Sequence, residues 1–146
     1  MTTQTLVQGT RSASILNLGT LASATYIASS SQDLGANIPL NKTLEVTALP
    51  STTPTGNKKL DVFVQLSLDN TNFSTGPTSG TSPTNEADLL YIGSVPCNDS
   101  AAAHTRMFDL SGIPVARYVK VVCRNDMGVA LTSGNVYWAD ITGSNA

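Results

Sequence analysis

Catalytic equipment is what this sequence has least of. Its 146 residues include one histidine, one tryptophan and two cysteines, and only 12% are charged, about half the share found in an average soluble domain. General acid–base and nucleophilic mechanisms need a base, most often His, held beside a nucleophile and an orienting group. His104 stands in Ala103-His104-Thr105-Arg106-Met107, an alternating stretch with no Gly-rich elbow and no neighbouring Cys or Asp. It reads as a surface or inter-subunit histidine. Cys97 and Cys123 lack CxxC spacing, and with a single His they make no recognisable zinc set. In a reducing compartment such thiols are small apolar fillers. The expectation is a protein that is not an enzyme and holds no metal and no cofactor.

Other absences narrow the partners. A net charge of −2 with no cluster of Lys and Arg leaves no electrostatic footprint for nucleic acid. No apolar run approaches the ~20 residues that cross a bilayer, and residues 1–12 have neither the basic start nor the apolar stretch of a secretory leader. The expected chain is made in the cytosol and binds no membrane. Gly76-Pro77-Thr78-Ser79-Gly80 lacks the strand–turn–helix setting of a phosphate-binding loop. Asp69-Asn70-Thr71-Asn72 offers oxygen ligands but not the Gly and bidentate Glu of a calcium loop, so it reads as a polar turn. Asn41-Lys42-Thr43, Asn72-Phe73-Ser74 and Asn98-Asp99-Ser100 fit the glycosylation acceptor pattern, as composition alone produces in so Asn-, Ser- and Thr-rich a chain.

What is present is β. A 40% hydrophobic content argues against disorder, and Val, Thr, Ile and Tyr suit half-buried pleated strands. Leu44, Val46 and Ala48 alternate with Thr43, Glu45 and Thr47; Leu60, Val62, Val64, Leu66 and Leu68 form one row against Asp61, Gln65 and Ser67. Period two makes both segments strands. Residues 14–18, 24–29, 88–95, 103–110, 117–124 and 134–142 complete about eight, each bounded by Gly, Pro, Asn or Asp. Residues 70–87 form a long polar connection of the kind that is functional or mobile. The fold class is all-β: an antiparallel jelly-roll β-sandwich of about eight strands, another sandwich order being the alternative. Residues 1–12 read as an extended N-terminal arm and 13–146 as a single domain.

Aromatic placement supplies candidate contacts. If Tyr137, Ala139 and Ile141 face the core, Val136 and Trp138 face away; Phe63 opposes the Leu60–Leu68 row, and Tyr118 opposes Val119, Val121 and Cys123. Large aromatics outside a core mark protein interfaces or sugar-stacking platforms, or else they cap the core's edge. Phe73 and His104 join this set as candidate interface residues.

Ser67-Leu68-Asp69-Asn70-Thr71-Asn72-Phe73-Ser74 and Ala116-Arg117-Tyr118-Val119-Lys120-Val121-Val122 together resemble the S-x-D-G-x-x-F and A-R-Y-V-K-V pattern of galactose-binding-like and discoidin-like jelly rolls. Asn70 stands where that pattern has Gly, and Asn also accepts positive φ. The wider stretch, from Leu21–Ala28 through Phe73–Gly80 to Asn135–Asp140, resembles small capsid cement or decoration proteins of tailed bacteriophages. That resemblance implies a virion structural protein, made in the bacterial cytoplasm, that binds the outer capsid surface and bridges capsomers. Its implied partners are the major capsid protein and copies of itself, a homotrimer being favoured. The alternative expectation is a carbohydrate- or receptor-binding β-sandwich module of a phage tail or fibre.

Overall fold

The computed structural model describes residues 3–145. In chain order the strands are β1 (Gln4–Gln8), β2 (Leu16–Asn17), β3 (Tyr26–Ala28), β4 (Gln32–Asp33), β5 (Asn41–Pro50), β6 (Lys59–Ser67), β7 (Ser79–Gly80), β8 (Leu90–Pro96), β9 (His104–Asp109), β10 (Tyr118–Asp126) and β11 (Leu131–Asn145), with one 3-10 turn at Glu86–Asp88. One sheet runs β1-β11-β5-β9 with β2 also on β11; the other runs β7-β3-β10-β6-β8 with β4 also on β10. All pairings are antiparallel. Taken as β2, β3, β5, β6, β8, β9, β10 and β11, the eight principal strands have the order of a jelly roll, first-eighth-third-sixth against second-seventh-fourth-fifth.

The core lies between the sheets. Leu44 and Val46 of β5, Leu60, Val62 and Val64 of β6, Val119, Val121 and Cys123 of β10, and Val136 of β11 are all buried in it, each worth about 1.5–3 kcal/mol relative to exposure. The alternating rows read in β5, β6 and β10 therefore face inward. Leu68 does not, because β6 ends at Ser67 and Leu68 stands exposed.

β11 is turned the other way from its sequence reading. Val136 pairs with Val46 and Trp138 with Leu44, and directly opposed residues share a face. Val136 and Trp138 therefore point into the core, and Tyr137 and Ile141 point out. Both faces of β11 carry apolar residues, so period two could not choose between them; the register with β5 does. On the outer face the Arg11 guanidinium sits 3.9 Å over the Tyr137 ring and Arg11 pairs with Glu45 at 2.7 Å.

The stretch read as an arm contains β1, which pairs with the C-terminal half of β11 from Gln4↔Asn145 to Gln8↔Ile141. The long polar connection is also ordered against its own domain. Residues 69–89 fold back as a flap over the outer face of the β3-β10-β6-β8 sheet. Gln65 Nε2 donates to Ser74 O at 2.9 Å, β7 pairs with β3, and Glu86 accepts from Tyr26 Oη and from Arg124. Leu89 of the flap closes with Tyr26, Phe63 and Val122 into a second small core. Gly76 allows the closure: its φ is +136°, and a Cβ there would lie 2.5 Å from Leu89 Cγ.

Candidate functional site

The flap stops short of covering the whole sheet face, and what it leaves is an open groove of about 400 Å³ lined by Lys59, Asp61, Phe63, Glu86, Tyr91 and Arg124, among others. Three strands supply it in register. Arg124 of β10 lies opposite Asp61 of β6, and Phe63 of β6 lies opposite Tyr91 of β8. Tyr91 reaches the groove through a bulge. The β6–β8 register slips between Val62↔Gly93 and Phe63↔Tyr91, leaving Ile92 as the extra residue. Without the slip Ile92 would oppose Phe63 on the groove face. With it Ile92 packs on the core and Tyr91 stands 54% exposed in the groove, its ring edge-on to Phe63 at 5.4 Å. Re-aiming a side chain is what bulges do in sheets.

The polar groups beside Tyr91 are incompletely satisfied. Asp61 is 5% exposed. Its Oδ1 is 3.2 Å from Lys59 Nζ, an ion pair, and has no other partner. Burial pushes the Asp61 carboxyl above the usual carboxylate range, with Lys59 opposing that shift. Arg124 reaches Glu86 through Nη1 at 3.4 Å, while its buried Nε donates to nothing. An orphaned buried donor or acceptor costs about 1–3 kcal/mol. The floor of the groove therefore holds one donor, Arg124 Nε, buried without a partner and one acceptor, Asp61 Oδ1, served by Lys59 alone, beside an exposed aromatic ring. Its charge is nearly balanced, Lys59 and Arg124 against Asp61, Glu86 and Asp126.

A different surface forms at the end of the sandwich where β5 and β10 begin. Leu40, Leu68 and Val115 are each at least 70% exposed there. Leu40 and Val115 rim a small pocket of about 50 Å³ backed by Leu34, Leu66 and Ile113.

The six candidate interface residues do not form one outward surface. Val136 and Trp138 are core residues, 0% and 9% exposed, and the Lys42 ammonium sits 4.2 Å over the Trp138 indole. Phe63 lies on the face opposite the core row, as period two requires, but the flap buries it. Tyr118 is half-buried with the Arg117 guanidinium 5.2 Å from its ring, and Phe73 is half-buried on the flap with Lys120 Nζ at 4.1 Å. His104 opens β9 in the other sheet, half-buried, with Nε2 3.4 Å from Ser100 O. Cys97 and Cys123 are free and buried. Among the described residues no group of three or more His, Cys, Asp or Glu side chains converges as a metal set would. Asp69 accepts from the backbone N–H groups of Thr71 and Asn72 and from the Asn72 amide, as a polar turn does.

Tyr91, Asp61 and Arg124 are the groove residues that sequence reading missed. The usable signal was Gly93 inside a strand, which marks a bulge or a close backbone approach.

No family model and no curated protein matches the chain. Two solved structures overlap it in outline. One is a Family 16 Carbohydrate Binding Module-2, 13% identical over 85% of this chain and 73% of that one, with a TM-score of 0.34. The other is the N-terminal cellulose-binding domain of a Cellulomonas fimi β-1,4-glucanase C, 12% identical over 92% and 80%, also with a TM-score of 0.34. Likeness at that level fixes neither ligand nor site.

Proposed function

We propose that this chain is a non-catalytic carbohydrate-binding module whose ligand lies in the β6-β8-β10 groove. The single observation that carries the reading is the exposed Tyr91 ring, turned into a groove that Lys59, Glu86 and Arg124 line. The partly exposed Lys59, Glu86 and Arg124 side chains offer donors and acceptors to sugar hydroxyls at the groove surface. The exposed Tyr91 ring meanwhile offers an apolar face to the C–H side of a pyranose. A neutral ligand suits the balanced charge, and concave, partly apolar sites with a few convergent polar groups are where small ligands bind. Calorimetric titration against a panel of neutral oligosaccharides tests it: at least one binds the parent, and Tyr91→Ala weakens that binding by at least tenfold. No binding to any neutral glycan at millimolar concentration, or binding indifferent to Tyr91→Ala, sinks the proposal.

A second reading, a virion decoration protein seated on a capsid, is favoured by the exposed end carrying Leu40, Leu68 and Val115. Leu40 and Val115 share the rim of one apolar pocket there, the kind of exposed apolar surface that marks protein docking. A protein that binds the assembled shell better than its free subunits stabilises the shell by linkage. Its partner would be a major capsid protein. Here Val115→Asp abolishes binding to undecorated particles while leaving glycan binding intact; particle binding that survives the substitution counts against it.

A further inference from the structure

The jelly roll leaves one long sheet edge open among the described residues, and the alternate residues Gln4, Leu6 and Gln8 along it read the same in both directions. β7 is two residues long. The β8 and β9 edges close on each other: Arg106 Nη1 of β9 donates to Ser94 O of β8 at 2.8 Å, and Phe108 packs against Gly93. β1 ends its sheet, all five of its residues are exposed, and it carries neither charge nor proline nor bulge, the devices that protect sheet edges.

The direction of its free backbone groups follows from register. Gly9 N donates to Asp140 O at 2.8 Å, and the β1–β11 register continues as Gln8↔Ile141, Val7↔Thr142 and Leu6↔Gly143. Hydrogen-bonded and non-hydrogen-bonded pairs alternate along an antiparallel ladder. Thr5 and Val7 therefore bond to β11, while the N–H and C=O of Gln4, Leu6 and Gln8 point to the open edge. These three positions are symmetric about Leu6, and so are the residues that occupy them, Gln4, Leu6 and Gln8, although Thr5 and Val7 differ.

We propose that β1 pairs antiparallel with β1 of a second copy of this chain, about a two-fold axis through Leu6. Leu6 then meets Leu6, and Gln4 meets Gln8, each pair exchanging two backbone hydrogen bonds. Leu6, 75% exposed, shares the outer face of the sheet with Leu40, whose Cδ1 lies 3.2 Å from where a Cβ on Gly143 would be. The two copies thus bring four leucines to the axis and join their sheets through the edge. A contact of this size falls below the ~1,200 Å² of a standard stable interface, so the dimer is a weak one.

Sedimentation velocity of the full chain across 1–100 µM reads it out, with twice 15.2 kDa as the dimer mass. Two variants probe the strand without touching its β11 bonds. Leu6→Pro removes only an outward N–H, which an edge strand tolerates; Leu6→Lys keeps the backbone and sets two like charges face to face on the axis. The proposal expects the parent to dimerise in this range and each variant to weaken dimerisation at least tenfold, with unchanged denaturation midpoints at concentrations where all are monomeric. A parent monomeric at 100 µM, a trimer, or a dimer indifferent to both variants overturns it.

Discussion

At the scale of single residues, Tyr26 shows how the flap is fastened. Its ring sits in the small core under the flap and its hydroxyl donates to Glu86. Burial, then the Glu86 hydrogen bond, push its pKa from 10.0 to about 12. The unfolded chain releases this proton first, so the stability contributed by the neutral hydroxyl is whole below pH 10 and lost as pH rises towards 12. Tyr26→Phe keeps the packing and loses the bond, at a cost of roughly 1.5 kcal/mol at neutral pH. The difference in urea midpoint between parent and variant should shrink from pH 9 to pH 12; a constant difference would show that the hydroxyl is not protected as described. Little of this was legible beforehand. Tyr26 and Glu86 lie sixty positions apart, and nothing in a polar stretch announces which carboxylate will return to which ring. Tyr91 was hidden for a related reason: Leu89-Leu90-Tyr91-Ile92 is apolar throughout, so only the bulge decides which side chain leaves the core.

Among elements, legibility followed amphipathicity. β5, β6 and β10 alternate cleanly and were readable to within a residue or two, including which face each buries. β11 is apolar on both faces and was read inverted, so Trp138 and Val136 point into the core rather than outward. β1, β4 and β7 were not seen as strands; two are only two residues long, and β1 is a strand by virtue of its partner, β11. The closure of β8 on β9 makes a sharp test at this scale. A Cβ on Gly93 would lie 2.6 Å from Phe108 Cε1, so Gly93→Ala must displace the ring that seals this side of the sandwich. Overpacking of that kind costs about 1–3 kcal/mol. Chemical denaturation should show that loss, together with faster amide exchange in β9 than in β5; a neutral substitution would mean the two edges are not in contact.

For the whole molecule, one jelly-roll core with a capped outer face makes the thiols a global probe. Burial pushes Cys97 to about 11 and Cys123 to about 12, and only thiolates react readily. Neither should react with a disulfide reagent at neutral pH in the native state, and both should appear at the denaturant midpoint seen by circular dichroism. A thiol that reacts well before that midpoint would show that the sandwich opens in parts. The same arrangement leaves uncovered the groove beside the flap, with the apolar end and the open β1 edge elsewhere. The most direct test of the central claim is an amide-shift titration of the isotope-labelled chain with a neutral oligosaccharide that it binds. The account predicts shifts concentrated at Lys59, Asp61, Tyr91 and Arg124 and at the flap around Glu86. Shifts centred instead on Leu40 and Val115, or no residue-specific shift with any neutral glycan, would contradict it.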